Sequence, residues 1–592
     1  MSTVKEQIAG GESTPGDPSA IPDRKKKTFI VLFASFLVVS AVVGVVSVRE
    51  IKSTGSSLPP AAHAIVKSTC ASTRFQDLCF SAIANSSAAA RKKITTQKDV
   101  IALSINITHT VVEQNYFTIK KILNSTRRRN LTAREVTALH DCLEMVDETL
   151  DELQKAAADL EKYPATDKSL KLHADDLKTL ISSALTNQDT CLDGFSHEDA
   201  DKEVRDSLVA GQNHVENMCS NALAMIKNMT DSDILEEQRK QSRTTATNRK
   251  LKEEAGGGWP EWMPAGTRRL LQSPTVEADV VVAADGSGNY TTVTEAVANA
   301  PEKSSKRYVI KIKAGVYREN VEVPKKKTNI MFLGDGRTNT IITGNRNVVD
   351  GTTTFHSATV AAVGPGFLAR DITFQNTAGQ EKHQAVALRV GSDLSAFYRC
   401  DILAYQDTLY VHSNRHFFVE CLIAGTVDFI FGNGAAVFQD CDIHARRPGP
   451  GQKNMITAQG RKDPGQNTGI VIQNCRIGAT SDLKPDQANF PTYLGRPWKE
   501  FSRTVIMQSS ISDVVHPAGW HEWAGDFALE TLVYGEYANT GDGANTAGRV
   551  NWKGYKVITN ASEAEEYAAE WFIAGGMWLN GTGFPYTLGL KA

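Results

Sequence analysis

Between Phe397 and Ile477 one short pattern returns at a nearly fixed interval, and it limits what the chain can fold into. It reads Phe397-Cys400-Ile402, then Phe418-Cys421-Ile423, then Phe438-Cys441-Ile443, at spacings of 21 and 20 residues. Ile472-Cys475-Ile477 resumes it after a longer insertion. A repeat of this length made of several short β-rich runs is one turn of a parallel β-helix, each turn burying its apolar side chains against the next. Strand–helix alternation is disfavoured, because no helical pattern separates these strands. The expected fold is mixed: an all-β parallel β-helix over 272–592, behind an all-α helical bundle.

The same register sorts the polar residues. Asp407 lies seven residues after Cys400 and Asp428 seven after Cys421, so both hold one position on adjacent turns. Neighbouring parallel strands are about 4.8 Å apart, which makes the two carboxylates near neighbours. Like charges that close raise one pKa, and a cation beside the other keeps it ionised, giving one acid and one anion. Gln406 precedes Asp407, and Gln384 stands 22 residues earlier. Two amide donors beside a carboxylate pair suit a developing oxyanion. A pair about 5 Å apart also fits a retaining glycosidase, and the pattern leaves ester and glycoside chemistry both open.

Upstream the texture changes. Residues 61–230 read as a helical bundle: Leu139, Leu143, Val146, Leu150 and Leu153 recur at three and four within a segment free of Gly and Pro. In an oxidising compartment Cys70 with Cys79 can staple a hairpin and Cys142 with Cys191 can tie two long helices, leaving Cys219 over. Residues 231–271 read as a linker carrying two basic pieces, Arg249-Lys250-Leu251-Lys252 and Arg268-Arg269-Leu270-Leu271. In an exposed lumenal linker the second reads as a protease processing site, and cutting after Leu271 leaves 30 basic and 32 acidic side chains in 272–592.

At the N-terminus a polar tail, 1–27, ends in Arg24-Lys25-Lys26-Lys27, and 28–48 is uncharged. Those residues, at 1.5 Å each, give about 31 Å, enough to cross a bilayer. A signal anchor fits better than a cleaved signal, since no cleavage site is evident, and the basic cluster would put everything after Arg49 in the secretory lumen. Asn-Xaa-Ser/Thr triplets at Asn85, Asn106, Asn124, Asn130, Asn228, Asn289, Asn560 and Asn580 are compatible with that side. With 65 Lys and Arg against 67 Asp and Glu, nothing recommends a nucleic-acid partner.

Five motifs then carry a resemblance. Gly-Val-Tyr-Arg-Glu (315–319), Gln-Ala-Val-Ala-Leu-Arg (384–389), Gln-Asp-Thr-Leu (406–409), Asp-Phe-Ile-Phe-Gly (428–432) and Leu-Gly-Arg-Pro-Trp (494–498) follow in order. From about residue 276 the chain resembles the plant pectin methylesterases. Residues 61–230 resemble the pectin methylesterase inhibitor domain, through the cysteine pairs and Leu-Thr-Asn-Gln-Asp-Thr-Cys-Leu-Asp-Gly (185–194). The resemblance implies a right-handed parallel β-helix and a pectin (methylesterified homogalacturonan) substrate, with Asp428 as nucleophile and Arg496 keeping it ionised. It implies Asp407 as general acid and then base, and Gln384 and Gln406 as oxyanion stabilisers. Thr354, Gln384, Arg496 and Trp498 become substrate contacts.

No metal and no cofactor is implied. His412 and His416 are four apart, as on a metal-binding helix, but this stretch reads as strand and loop. A disulfide between Cys400 and Cys421, with Cys441 paired to Cys475, stands beside a reduced internal ladder as the two arrangements open to the later cysteines. The resemblance also implies separate inhibitor proteins and a processing protease as partners, and the run at 28–48 adds a membrane in the precursor. The rival readings are a pectin-cleaving β-helix hydrolase or lyase, and an inhibitor or wall-binding protein. Departures from the family pattern, Gly434 and Gln380, touch no proposed catalytic group.

Overall fold

Three parallel sheets of 11, 8 and 7 strands run along the C-terminal region from Val280 to Val557. The structure, a computed structural model, describes residues 58–86, 93–125, 130–165, 168–245 and 276–591. Each turn gives one strand to each sheet, as in Ser395–Tyr398, Asp401–Leu403 and Leu409–Val411, followed by Arg415–Val419, Leu422–Gly425 and Ile430–Gly432. This is the parallel β-helix expected from the repeat, right-handed as the resemblance implies, and its register is the one the sequence spells. Phe397 pairs with Phe418, Phe418 with Phe438, and Phe438 with Ile472. Ile402, Ile423, Ile443 and Ile477 pair in the same way. The phenylalanine rings stack at 4.6 and 4.7 Å with planes 8° apart. Their burial supplies about 2–3 kcal/mol apiece.

The corner before each cysteine is sharp. Arg399, Glu420, Asp440 and Asn474 all have φ between 51° and 55°, the left-handed region that costs a side-chain-bearing residue about 1 kcal/mol. Each is held by the next turn: the Arg399 amide donates to Val419 O at 3.1 Å and the Glu420 amide to Gln439 O at 3.2 Å. The cysteines that follow correct one expectation. Cys400 and Cys421 form no disulfide, and Cys441 and Cys475 are likewise free, all four buried as a ladder. Stacked strands about 4.8 Å apart point their Cβ atoms the same way, whereas a disulfide needs Cβ atoms about 3.8 Å apart. The thiols donate to carbonyls instead, Cys421 Sγ to Phe397 O at 3.4 Å and Cys441 Sγ to Gln439 O at 3.2 Å.

The N-terminal region folds into helices α1 (Pro60–Cys70), α2 (Gln76–Ala84), α3 (Gln97–Asn124), α4 (Ala133–Lys162), α5 (Leu170–Asp193) and α6 (Lys202–Thr245). Capping boxes start two of them, Thr96 with Asp99 and Thr132 with Glu135, and Ser169 caps α5. Leu139, Val146 and Leu153 are buried as the periodicity predicts. Cys70 is bridged to Cys79 and Cys142 to Cys191, and Cys219 is left as a buried thiol. The expected linker starts later than 231, because α6 continues to Thr245. Residues 231–245 contain no Gly or Pro and are rich in Glu, Gln and Arg, good helix formers whatever their charge. The anchor at 28–48 and the processing residues Arg268 to Leu271 lie outside the described residues. Among the described residues no helix is long and apolar enough to cross a membrane.

Bundle and β-helix pack into one body. The 185–194 motif, on α5 and the residue after it, carries much of the contact. Thr190 Oγ1 lies 2.9 Å from His412 Nε2, and Asn433 Nδ2 donates to Thr186 Oγ1 at 2.9 Å. The Asp189 carboxylate reaches Lys462 and Lys499. His412 is thus an interface residue, on the loop after Leu409–Val411, and His416 lies within a strand rather than on a helix.

Candidate active site

Asp407 and Asp428 each stand two residues before strands that pair directly, Leu409 with Ile430. The Asp407 amide donates to Val427 O at 3.0 Å, which fixes the stacking of the two turns. Both aspartates adopt left-handed backbone, φ 61° and 51°. They are 7% and 6% exposed, so water does not screen one carboxylate from the other. Arg496 follows the strand Thr492–Gly495 and meets Asp428 in a two-pronged bridge, Nε to Oδ1 at 2.8 Å and Nη2 to Oδ2 at 2.6 Å.

These contacts split the pair into two roles. Burial pushes the Asp428 carboxyl up, and the Arg496 guanidinium holds that rise back. Asp407 is driven well above the ordinary carboxylate range by burial and then by the Asp428 charge, with Arg496 opposing only weakly. Of the two, Asp407 is the one driven further toward the protonated form, and Asp428 is the one held beside a cation.

A cavity of about 300 Å³ joins both carboxylates to Gln384, Gln406, Thr354, Arg496 and Trp498, so every substrate and catalytic residue expected from the sequence meets in one cleft. Gly460 makes room for Trp498, since a Cβ there would come 2.8 Å from the indole. Sequence reasoning missed several members. Tyr410 and Phe431 line the cleft and stack at 4.3 Å. The signal was available, because each lies three residues after its aspartate. Trp523 lies beneath the Arg496 guanidinium, 4.3 Å from Cζ to ring centre, with no motif to announce it. Phe355 lines the same wall, and the Arg389 guanidinium rests on its ring at 3.4 Å.

The bundle lines one side of the cleft. Arg134, Asp141, Thr190 and Asp193 belong to the cavity wall. Asp141 is 1% exposed, accepts from Thr353 Oγ1 at 2.5 Å, and faces His356 Nδ1 at 2.5 Å. Among the described residues no group of three or more His, Cys, Asp or Glu is arranged to hold a metal.

An acid, an arginine-held carboxylate and two amides in a β-helix groove define an aspartyl-type hydrolase. The pectinesterase family model matches residues 279–576, and the plant invertase/pectin methylesterase inhibitor model matches 64–225. The chain is 69% identical over 574 residues to pectinesterase/pectinesterase inhibitor U1 of Solanum lycopersicum, covering 96% of this chain and 97% of that one. It is 65% identical over 585 residues to pectinesterase/pectinesterase inhibitor 3 of Arabidopsis thaliana, covering 96% and 98%. The solved pectin methylesterase from carrot superposes with a TM-score of 0.53 at 76% identity, covering 54% of this chain and all of that one. The chain belongs to the pectinesterase family, with an inhibitor-type domain ahead of the catalytic one.

Proposed function

We propose that the chain is a carboxylic ester hydrolase that removes methyl groups from the galacturonate C6 esters of pectin, releasing methanol. The observation that carries this is the Arg496–Asp428 bridge beside a buried Asp407, whose pKa is raised by burial and by the Asp428 charge. Asp428 attacks the ester carbonyl carbon, and Gln384 and Gln406 donate to the oxyanion. The tetrahedral intermediate collapses with loss of the methoxy oxygen, which takes the Asp407 proton and leaves as methanol, giving an acyl-enzyme anhydride. Asp407, now a carboxylate, takes a proton from water as that water attacks the acyl carbon. The second collapse expels Asp428 as a carboxylate, leaves Asp407 protonated and frees the galacturonic acid unit, which loses its remaining proton to solvent. Trp498 offers a face for a sugar ring, and Thr354 lines the same groove.

The bundle covers its own enzyme in the full chain and is released by cleavage near Leu271. Burial of Asp141 against the catalytic groove, with Asp193 in the cavity wall, supports this. So does the relative from Daucus carota, a pectinesterase of which all is matched by only 54% of this chain. Related inhibitor proteins acting from a separate chain would use the same groove. The disulfides of the bundle fit a secreted protein, and 28–48 holds the precursor in the membrane until processing. The test is methanol release from highly methylated pectin by 272–592. Chain cleavage, the rival chemistry, would instead produce new reducing ends and no methanol.

A further inference from the structure

Cations on the β-helix usually find their carboxylates at home. Lys311 pairs with Asp335, Lys382 with Asp350, Arg549 with Glu536 and Lys591 with Asp440. Two lysines beside the catalytic groove do not. Lys499 Nζ lies 3.0 Å from Asp189 and 3.4 Å from Asp193, and Lys462 Nζ lies 3.0 Å from Asp189 and 2.9 Å from Glu216. All three partners belong to the bundle. Lys499 follows Trp498 directly, its ammonium 4.8 Å from the indole centre. Asp193 lines the cavity that holds Asp407 and Asp428.

Carboxylates therefore already sit at this end of the groove, supplied by the pro-region. The reaction proposed above turns a neutral ester into a carboxylate, so a polymer partway through reaction offers the same group on the units flanking the next ester. A lysine is a point charge suited to a carboxylate whose orientation varies along a flexible chain. Once the bundle leaves, both ammonium groups lose these partners, with Lys499 still beside Trp498 of the cavity wall.

We propose that Lys499, with Lys462 beside it, is a binding site for the free C6 carboxylate of a de-esterified galacturonate unit next to the reacting ester, and that Asp189 and Asp193 occupy this site in the full chain. The proposal rests on the esterase reading. It makes the enzyme favour ester groups that border already de-esterified units, and it makes the pro-region a mimic of the product as well as a cover.

The test uses the 272–592 piece, whose counterpart from carrot, 76% identical, is solved as a chain matched in full by 54% of this one. Methanol release from highly methylated pectin is measured against increasing amounts of a fully de-esterified galacturonate oligomer. Lys499→Ala should raise the oligomer's inhibition constant about tenfold, about 1.4 kcal/mol, and Lys499→Arg should restore most of it. Lys462→Ala should raise it by a smaller factor and stands as the second variant if the first does not fold. An unchanged inhibition constant in a Lys499→Ala protein that melts like wild type overturns the inference and leaves the esterase reading intact. Wild-type protein that folds and releases no methanol overturns that reading, and this inference with it.

Discussion

The two regions of this molecule bury their cores by opposite routes. In the bundle, contacts along one helix come from residues three and four apart, each long helix starts at its own cap, and two disulfides close loops of 9 and 49 residues. In the β-helix nothing is local: Phe418 is held by Phe397 and Phe438, 21 and 20 residues away. The bundle is a set of elements each able to start alone, while the β-helix is a stack in which each turn waits for a neighbour. The difference also divides the work. The stack can put side chains from successive turns at one strand spacing, which a carboxylate pair needs. The bundle can present a long acidic face, and α4 alone carries nine Asp and Glu against three Lys and Arg.

The hardest blow to this division is at the stack's chemistry. Asp428→Asn in 272–592 should lower methanol release by about a thousandfold or more with no change in thermal unfolding, since it removes the nucleophile and leaves the shape. Near-wild-type turnover in that variant would break the assignment. Next, uncleaved protein should be at least about a hundredfold less active than 272–592 at equal concentration, read by the same methanol assay, because α4 and α5 line the groove.

Stability separates the regions further. Phe418→Ala should cost the β-helix about 3–5 kcal/mol through loss of two stacked contacts and the cavity left behind, seen as a lower denaturation midpoint in 272–592. Cys142→Ser should weaken the bundle in the full chain and raise basal activity, while the isolated enzyme piece is untouched.

The pH effect is the mildest. Against the β-helix, burial and the neighbouring Asp189 raise Asp193 to about 6, and burial raises Glu148 to about 7. The Asp141 contact raises His356. A group whose pKa is higher in the docked state favours docking at low pH, and that contribution fades as pH rises through the docked value. Inhibition by the bundle should thus be firmest in acid and loosen by severalfold between about pH 6 and 7. The opposite trend in activity of uncleaved protein would mean that other groups govern release.

How much of this was written in the sequence depends on how far apart the partners are. The turn register placed Asp407 above Asp428, and the motifs supplied Gln384, Gln406, Arg496 and Trp498, because repeats and motifs are visible in a single string. Trp523 was not legible, since its only distinction is lying under Arg496. The docking of the bundle was equally hidden: Asp141 meets His356 across 215 residues, and ion pairing at such separations leaves no periodic trace. The cysteine ladder was half legible, for spacing showed that the thiols align but not that alignment itself keeps them apart.

The bridge from Arg496 back to Asp428 spans 68 positions, while Gln384 sits one turn ahead of Asp407. Everything that reacts thus lies within a few consecutive coils between Gln384 and Trp498. Just beyond those limits Thr354 and Trp523 still line the cleft, and the coils further out serve as splints. A lineage could lengthen or trim the coil at either end without disturbing turnover, whereas losing one coil inside the span would preserve the sheets and silence the enzyme.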